Sequence, residues 1–307
     1  MTLVTNKKIG VLMGGLSSER EVSLASGNAI LSALREKGHH PVSIDVGRDA
    51  AEKVREHAVE IAFIALHGRF GEDGAIQGML EVMGIPYTGS GILASALGMN
   101  KTVSKQVFRS RGLLVGPYEV VYDGDAARAG AIIEQLQFPV VVKPHAEGSS
   151  VGISLVFRKE EVAPALELAF EYGAEILIET FIKGKEVQVG ILGDRALGAI
   201  EIVPKDVFYS YKAKYEQGMS EHFFPARIPE DMYKRTLDAG LLAHRALGCR
   251  GYSRVDFIID NDGVPYILEV NTLPGMTATS LLPEIARGVG LPFPALVEEI
   301  LRLAIAA

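Results

Sequence analysis

The chain has 307 residues, 48% of them apolar and 22% charged, with a formal net charge of −7 at pH 7. That usage excludes wholesale disorder, and a chain of this length buries roughly three quarters of its surface without a disulfide or metal staple. No basic footprint for nucleic acid is present, an anionic membrane is disfavoured as a partner, and about 150 residues per domain points to two or three domains.

Glycine is the one excess: 33 residues, about 11% against a usual ~7%. The glycines are spread along the chain, so they mark positions and not a linker. The single Cys249 cannot form an internal disulfide and reads as a small buried thiol. No apolar run reaches 18 residues, and the N-terminus has no signal-peptide pattern, so a cytoplasmic protein is expected.

In chain order, Lys8–Met13 is a short apolar run ending in Gly14 and Gly15, the pattern of a buried strand. A helix follows, with Ser17 or Ser18 as N-cap and Val22, Ala25, Ala29, Ile30, Ala33 and Leu34 on one face; Gly38 stops it. Pro41–Val46 and Glu60–Leu66 read as further strands. Ile76, Met79, Leu80 and Met83 form the stripe of a second helix ending at Gly84. Strand alternating with helix predicts a parallel sheet with crossover helices. Asn100 caps a helix through Arg111, and 112–122 reads as a junction. Next come helix 125–137, strands Pro139–Lys143 and Ile153–Val156, helix 160–172 and strand Glu175–Glu179, with a second junction at Gly184. Strands 186–192 and 196–203, a polar aromatic loop 204–224, a helix near 230–247, a hairpin at 252–270 and two closing helices complete the chain.

The hairpin carries the clearest chemistry. Asp262-Gly263 flanked by alternating strands is the preference of a two-residue type I′ turn. That register sets Asp256 across from Glu269 and Arg254 across from Asn271, all on one face, with Val255, Phe257, Leu268 and Val270 on the other. Two opposed carboxylates repel. Either the face is solvated and tolerates the repulsion, or it holds a hard divalent cation, which carboxylate and amide oxygens suit.

Other segments are less specific. Lys143 ends a strand before the loop Pro144–Gly152, whose backbone N–H groups could fold over phosphates; it is not a Walker A loop. Gly89-Ser90-Gly91 resembles part of a dinucleotide fingerprint, but no acid follows about 20 residues later, so it reads as a tight strand-to-helix turn. His67 sits at a parallel strand exit crowded by glycines and charged residues, where open α/β sheets bind ligands. Tyr209, Tyr211, Lys214 and Tyr215 mark either a lid or an irregular surface excursion.

Seven segments in one order resemble D-alanine–D-alanine ligases of the ATP-grasp superfamily. They are Gly14–Ser23, His67–Gly74, Tyr87–Gly91, Lys143–Gly152, Tyr211–Tyr215, Arg254–Asp256 and Glu269–Met276, and together they span almost the whole chain. The resemblance implies a three-domain ATP-grasp fold of α/β class. A Rossmann-like parallel-sheet domain would occupy 1–97, a central α+β domain 98–184, and a C-terminal α+β domain with the metal site and lid 185–307. It implies that ATP phosphorylates one D-alanine and the amine of a second attacks the acyl phosphate, giving the dipeptide of peptidoglycan precursors.

By motif position, Lys101 and Lys143 would hold ATP phosphates, Glu179 the adenine amino group and Glu186 the ribose, with Phe181, Ile182 and Tyr209 also at nucleotide positions. Asp256, Glu269 and Asn271 would bind two Mg²⁺ or Mn²⁺. Glu19 would pair the ammonium of the first D-alanine, with Ser149 and Tyr215 tying the lid over it, and His67 beside the substrate. Arg254 and the Gly275 N–H would stabilise the oxyanion, Lys214 the transferred phosphoryl group, and Ser280 and Leu281 the second carboxylate. A homodimer is compatible with the resemblance. The competing readings are another ATP-grasp carboxylate–amine ligase, D-alanyl-D-lactate formation, a nicotinamide oxidoreductase, and a ligand-binding protein without activity.

Overall fold

A computed structural model describes residues 7–146, 148, 151–204, 220–277 and 279–306. It opens with a parallel sheet of order β2-β1-β3: β1 (Ile9–Gly14), β2 (Val42–Val46) and β3 (Ile61–Ile64). Every residue of β1 is buried, as an unbroken apolar run flanked on both edges requires. The crossover helices are α1 (Arg20–Glu36) and α2 (Ala50–Glu56), followed by α3 (Ala75–Val82) and α4 (Ile92–Met99).

Helix α1 starts later than predicted, and its N-cap is Glu19. Ser17 is diverted: its hydroxyl donates to the His67 carbonyl at 2.7 Å. The buried face also turns, taking in Ser23, Ser26 and Gly27 while Val22 is half-buried and Ala25 exposed. Gly27 lies against Met13, where a Cβ would come within 2.5 Å of it, so the helix can approach β1 only by that edge. The C-terminal helix α10 (Phe293–Ala306) returns to this body. Its Leu296, Val297, Ile300 and Leu301 share one core with Val11, Leu12, Ile30 and Leu34.

Helix α5 (Lys101–Ser110) is capped as predicted, Asn100 Oδ1 accepting from the Val103 N–H at 3.0 Å. A second sheet, of order β4-β7-β5-β6, is antiparallel throughout: β4 (Tyr118–Tyr122), β5 (Val140–Pro144), β6 (Ser154–Val156) and β7 (Glu175–Thr180). Helices α6 (Ala126–Leu136) and α7 (Val162–Phe170) cover one face through Val121, Ile133, Val140, Val142, Ile176 and Ile178. Alternation therefore puts Tyr118, Lys143 and Glu179 on the opposite face.

The third sheet, β10-β9-β8-β11-β12, is also antiparallel: β8 (Gly184–Leu192), β9 (Arg195–Pro204), β10 (Ser220–Phe223), β11 (Tyr252–Asp260) and β12 (Pro265–Asn271). Strand β10 falls inside what reads by sequence as loop 204–224. Its residues pair with β9, an edge contact that composition does not reveal. Helix α8 (Glu230–Ala246) packs on one face, and α9 (Leu281–Gly288) on the other with Ile200 and Ile202. Phe108 of α5, grouped by sequence with the central unit, is buried with Val187, Val255 and Phe257 of this sheet.

The hairpin departs from its predicted turn. Asp260 N–H donates to the Val264 carbonyl, and Asp260 Oδ1 accepts from Asp262 and Val264, so the loop is three residues, 261–263, with Gly263 at φ +80. Near the turn Ile259 pairs with Pro265 and Phe257 with Ile267. A bulge between Asp256 and Phe257 then restores Asp256 to Glu269 and Arg254 to Asn271. The extra loop residue and the bulge cancel. The polar square forms as predicted, but Ile267 and not Leu268 fills the apolar face beside Phe257. Gly263→Ala is expected to lower stability by about 1–2 kcal/mol, through left-handed backbone strain and contact with Met232. The urea unfolding midpoint measures it, and an unchanged midpoint would show that the turn relaxes.

Candidate active site

The start of α1, the segment after β3, the α4–α5 junction and the polar face of β11–β12 line a cavity of about 490 Å³. Its walls bring together Glu19, His67, Lys101, Arg254, Glu269, Asn271, Gly275, Ser280 and Leu281, nine residues singled out by sequence. Val22 and Ala25, two apolar positions that α1 does not bury in its core, also line it.

On the parallel-sheet side, Glu19 is buried, and Gly68 and Gly148 crowd its carboxylate. A Cβ at Gly68 would lie 2.8 Å from Oε2, and one at Gly148 3.1 Å. Gly148, beyond β5, thus lies against the N-cap residue of α1. His67 Nε2 lies 3.1 Å from Ser26 Oγ, which also accepts from the Met276 N–H at 3.3 Å. That chain links the β3 exit to the Gly275 segment.

On the hairpin side, Arg254 forks onto Asp256, with Nε–Oδ1 and Nη2–Oδ2 both 2.8 Å. Asp256 is only 4% exposed and lies behind Arg254, outside the cavity wall. Glu269 Oε2 is 3.6 Å from Lys101 Nζ, which reaches the edge strand β12 from the first turn of α5. Ser280 precedes α9, but its hydroxyl makes no cap bond; it accepts from the Thr277 N–H at 3.0 Å and packs beside Gly275. The first N–H groups of α9 thus lack a side-chain cap where Ser280 and Leu281 meet the cavity, an arrangement that suits a carboxylate. His222 Nδ1, on β10, lies 2.7 Å from Glu284 Oε2 and ties that edge strand to α9.

Lys143 and Glu179 occupy a separate cluster on the central sheet. Lys143 Nζ is 3.0 Å from Glu179 Oε1, so Glu179 holds an ammonium of this chain as well as any adenine amino group it meets. Phe181 and Ile182 follow on the β7–β8 connection, and Glu186 lies near the start of β8 itself, paired with Ile258 and Ile202. Phe181 N–H donates to the Pro139 carbonyl, and Glu186 Oε1 accepts from Gln188 Nε2 at 3.3 Å. Ser149, Tyr209, Lys214 and Tyr215 lie outside the described residues.

Two residues escape sequence reading. Gln188 lines the cavity, is 1% exposed, pairs in register with Asp256 and, among the described residues, finds no hydrogen-bond donor for Oε1. Lys105 is 1% exposed and reaches the same Glu179 oxygen at 3.2 Å. Burial pulls the Lys105 ammonium down to about 8 against the pull of Glu179. Burial also pushes the Glu179 carboxyl up, but Lys105 and Lys143 outweigh it and hold that group below its ordinary range. The signal for each was a polar residue at a core position: Lys105 four residues after Lys101 and three before Phe108, and Gln188 between Val187 and Val189.

Residues 47–90 match a family model described as D-ala D-ala ligase N-terminus, and residues 107–302 one described as D-ala D-ala ligase C-terminus. The chain is 62% identical over 298 residues to a D-alanine–D-alanine ligase of Geotalea uraniireducens, covering 97% of this chain and 96% of that one. A D-alanine–D-alanine ligase of Geobacter sulfurreducens is 59% identical over 96% of this chain and 93% of its own. The D-alanine–D-alanine ligase of Bacillus anthracis complexed with ATP superposes with a TM-score of 0.84 at 36% identity, covering 98% and 97% of the two chains. The VanG D-Ala:D-Ser ligase of Enterococcus faecalis gives 0.86 at 32%, covering 97% and 99%.

Proposed function

The chain belongs to the D-alanine–D-alanine ligase family and joins two D-alanine molecules, using ATP, into the dipeptide of peptidoglycan precursors; on that premise we propose how its residues divide the work. The observation that carries the assignment is the single cavity shared by Glu19, Lys101, Arg254, Glu269 and Asn271.

Glu19 pairs the ammonium of the first D-alanine, with His67 beside it, and directs the substrate carboxylate toward ATP. Lys101 and Lys143 neutralise the phosphates, Glu179, Phe181, Ile182 and Tyr209 receive the adenine end, and Glu186 the ribose. Lys214 serves to neutralise the transferred phosphoryl group, and Ser149 and Tyr215 to keep water from the D-alanyl phosphate, roles that the resemblance assigns to them. Ser280, Leu281 and the start of α9 hold the second D-alanine by its carboxylate. Its amine then attacks the acyl phosphate, while Arg254 and the Gly275 N–H take up the charge on the carbonyl oxygen.

Asp256, Glu269 and Asn271 would hold two Mg²⁺ or Mn²⁺. The donor set is all oxygen, the two carboxylates are opposed in register, and the buried Gln188 Oε1 beside Asp256 awaits a donor such as a metal-bound water. Such cations screen the phosphates and polarise the one transferred. Arg254 and Lys101, which pair these carboxylates within the chain, would keep them oriented for such cations.

Among the described residues no helix is long and apolar enough to cross a membrane. Cytoplasmic action and a homodimer complete the proposal. ADP release is the test: mixing the protein with Mg-ATP and D-alanine is expected to release ADP, with L-alanine inactive. Adding D-lactate or D-serine is expected to yield little mixed product. Absence of ADP with D-alanine sinks the proposal, and efficient D-lactate or D-serine incorporation would overturn the acceptor assignment.

A further inference from the structure

Helix α5 presents Lys105 and Arg109, four residues apart and so on one side of the helix, to the cleft face of the central sheet, while Lys101 one turn earlier reaches Glu269 on β12. On that face Tyr118, Glu179 and Val141 stand in one row, and Lys143 is the diagonal neighbour of Glu179. Arg109 stacks on Tyr118, 4.4 Å from the ring centroid, and Lys105 Nζ lies 5.7 Å from the same centroid. Lys105 and Lys143 both approach Glu179 Oε1, at 3.2 and 3.0 Å.

Two lysines exceed what the charge of Glu179 alone requires. One ammonium neutralises one carboxylate, and burying another charged amine costs free energy unless its charge is used. With both present the cluster keeps one net positive charge. Lys105 is the more deeply set of the two, fixed behind Glu179 by the helix, so the surplus is expressed at Lys143. We propose that Lys105 is a positioning residue for the nucleotide phosphates: by sharing Glu179 with Lys143 it leaves the Lys143 ammonium charged, oriented and uncompensated toward them. This rests on the reading that Lys143 binds phosphate.

The test titrates ADP and, separately, adenosine into wild type, Lys105→Met and Lys143→Met by calorimetry without metal. Lys105→Met is expected to weaken ADP about ten-fold while adenosine changes less than about two-fold, because the lost charge acts on phosphates alone. The KM for D-alanine should stay within the same two-fold range. Equal weakening of ADP and adenosine would overturn the inference, since Lys105 would then act through Glu179 on the adenine. No weakening of either makes it a structural lysine. If Lys143→Met leaves ADP binding intact, the phosphate site itself is misplaced. If only Lys105→Met leaves it intact, this inference alone falls. Should Lys105→Met not fold, Lys105→Gln carries the same test, its amide keeping a donor for Glu179 without the charge.

Discussion

Glu269→Gln is expected to lower turnover about a thousand-fold, a loss of about 4 kcal/mol of transition-state stabilisation, with the fold intact. The hairpin survives because its packing comes from Val255, Phe257, Ile267 and Val270 on the other face, which the substitution does not touch. Glutamine keeps the shape of glutamate but removes a hard anionic oxygen from the set that includes Asp256 and Asn271. The ion pair with Lys101 is lost as well, which turns that ammonium more fully toward phosphate. The KM for ATP should therefore stay level or fall while kcat collapses, a split that general misfolding does not give. Mn²⁺ affinity, read by paramagnetic relaxation of water protons, should weaken in parallel. Unchanged turnover or unchanged Mn²⁺ binding would remove Glu269 from the metal site.

Why the hairpin was legible and the lysine pair was not is a matter of sequence distance. Arg254, Asp256, Glu269 and Asn271 lie within one hairpin, where period-two alternation and a turn signal fix which side chains share a face. The register came out at the site even though the turn type was misread, because a bulge absorbed the extra loop residue. In the first sheet β1 and β3 are equally plain as apolar runs, and β2 as an alternation of apolar with polar residues. Helix α2 escaped notice because only Ala50 and Val54 of its seven residues are buried, too short a stripe to register. Ser17 suits an N-cap because serine favours that place, but a tertiary partner, the His67 carbonyl, claims its hydroxyl instead. Lys105 meets Glu179 only once α5 lies across a sheet whose strands come from three separate segments. No local pattern encodes that crossing. The family resemblance assigns roles to Lys101, Lys143 and Glu179 by position, and none to Lys105.

Arg254→Met is the second large effect expected, a fall of about 100- to 1,000-fold in dipeptide synthesis, the scale of one lost oxyanion donor. Arg254 has two jobs in the structure. Its guanidinium lines the cavity, and its fork fixes Asp256, which is almost fully buried. A methionine ends both, and it leaves Asp256 without that partner, a destabilising change for a buried carboxylate. Arg254→Lys separates the two, since lysine restores a positive charge but not the planar two-bond grip. Thermal stability should therefore recover partly in Arg254→Lys while ligation stays low. Trapping the D-alanyl phosphate with hydroxylamine then isolates the step. If Arg254 serves the oxyanion formed when the second amine attacks, hydroxamate production should fall far less than dipeptide production. An equal fall in both would place Arg254 at phosphoryl transfer, acting through Asp256, and the oxyanion would be left to the Gly275 N–H.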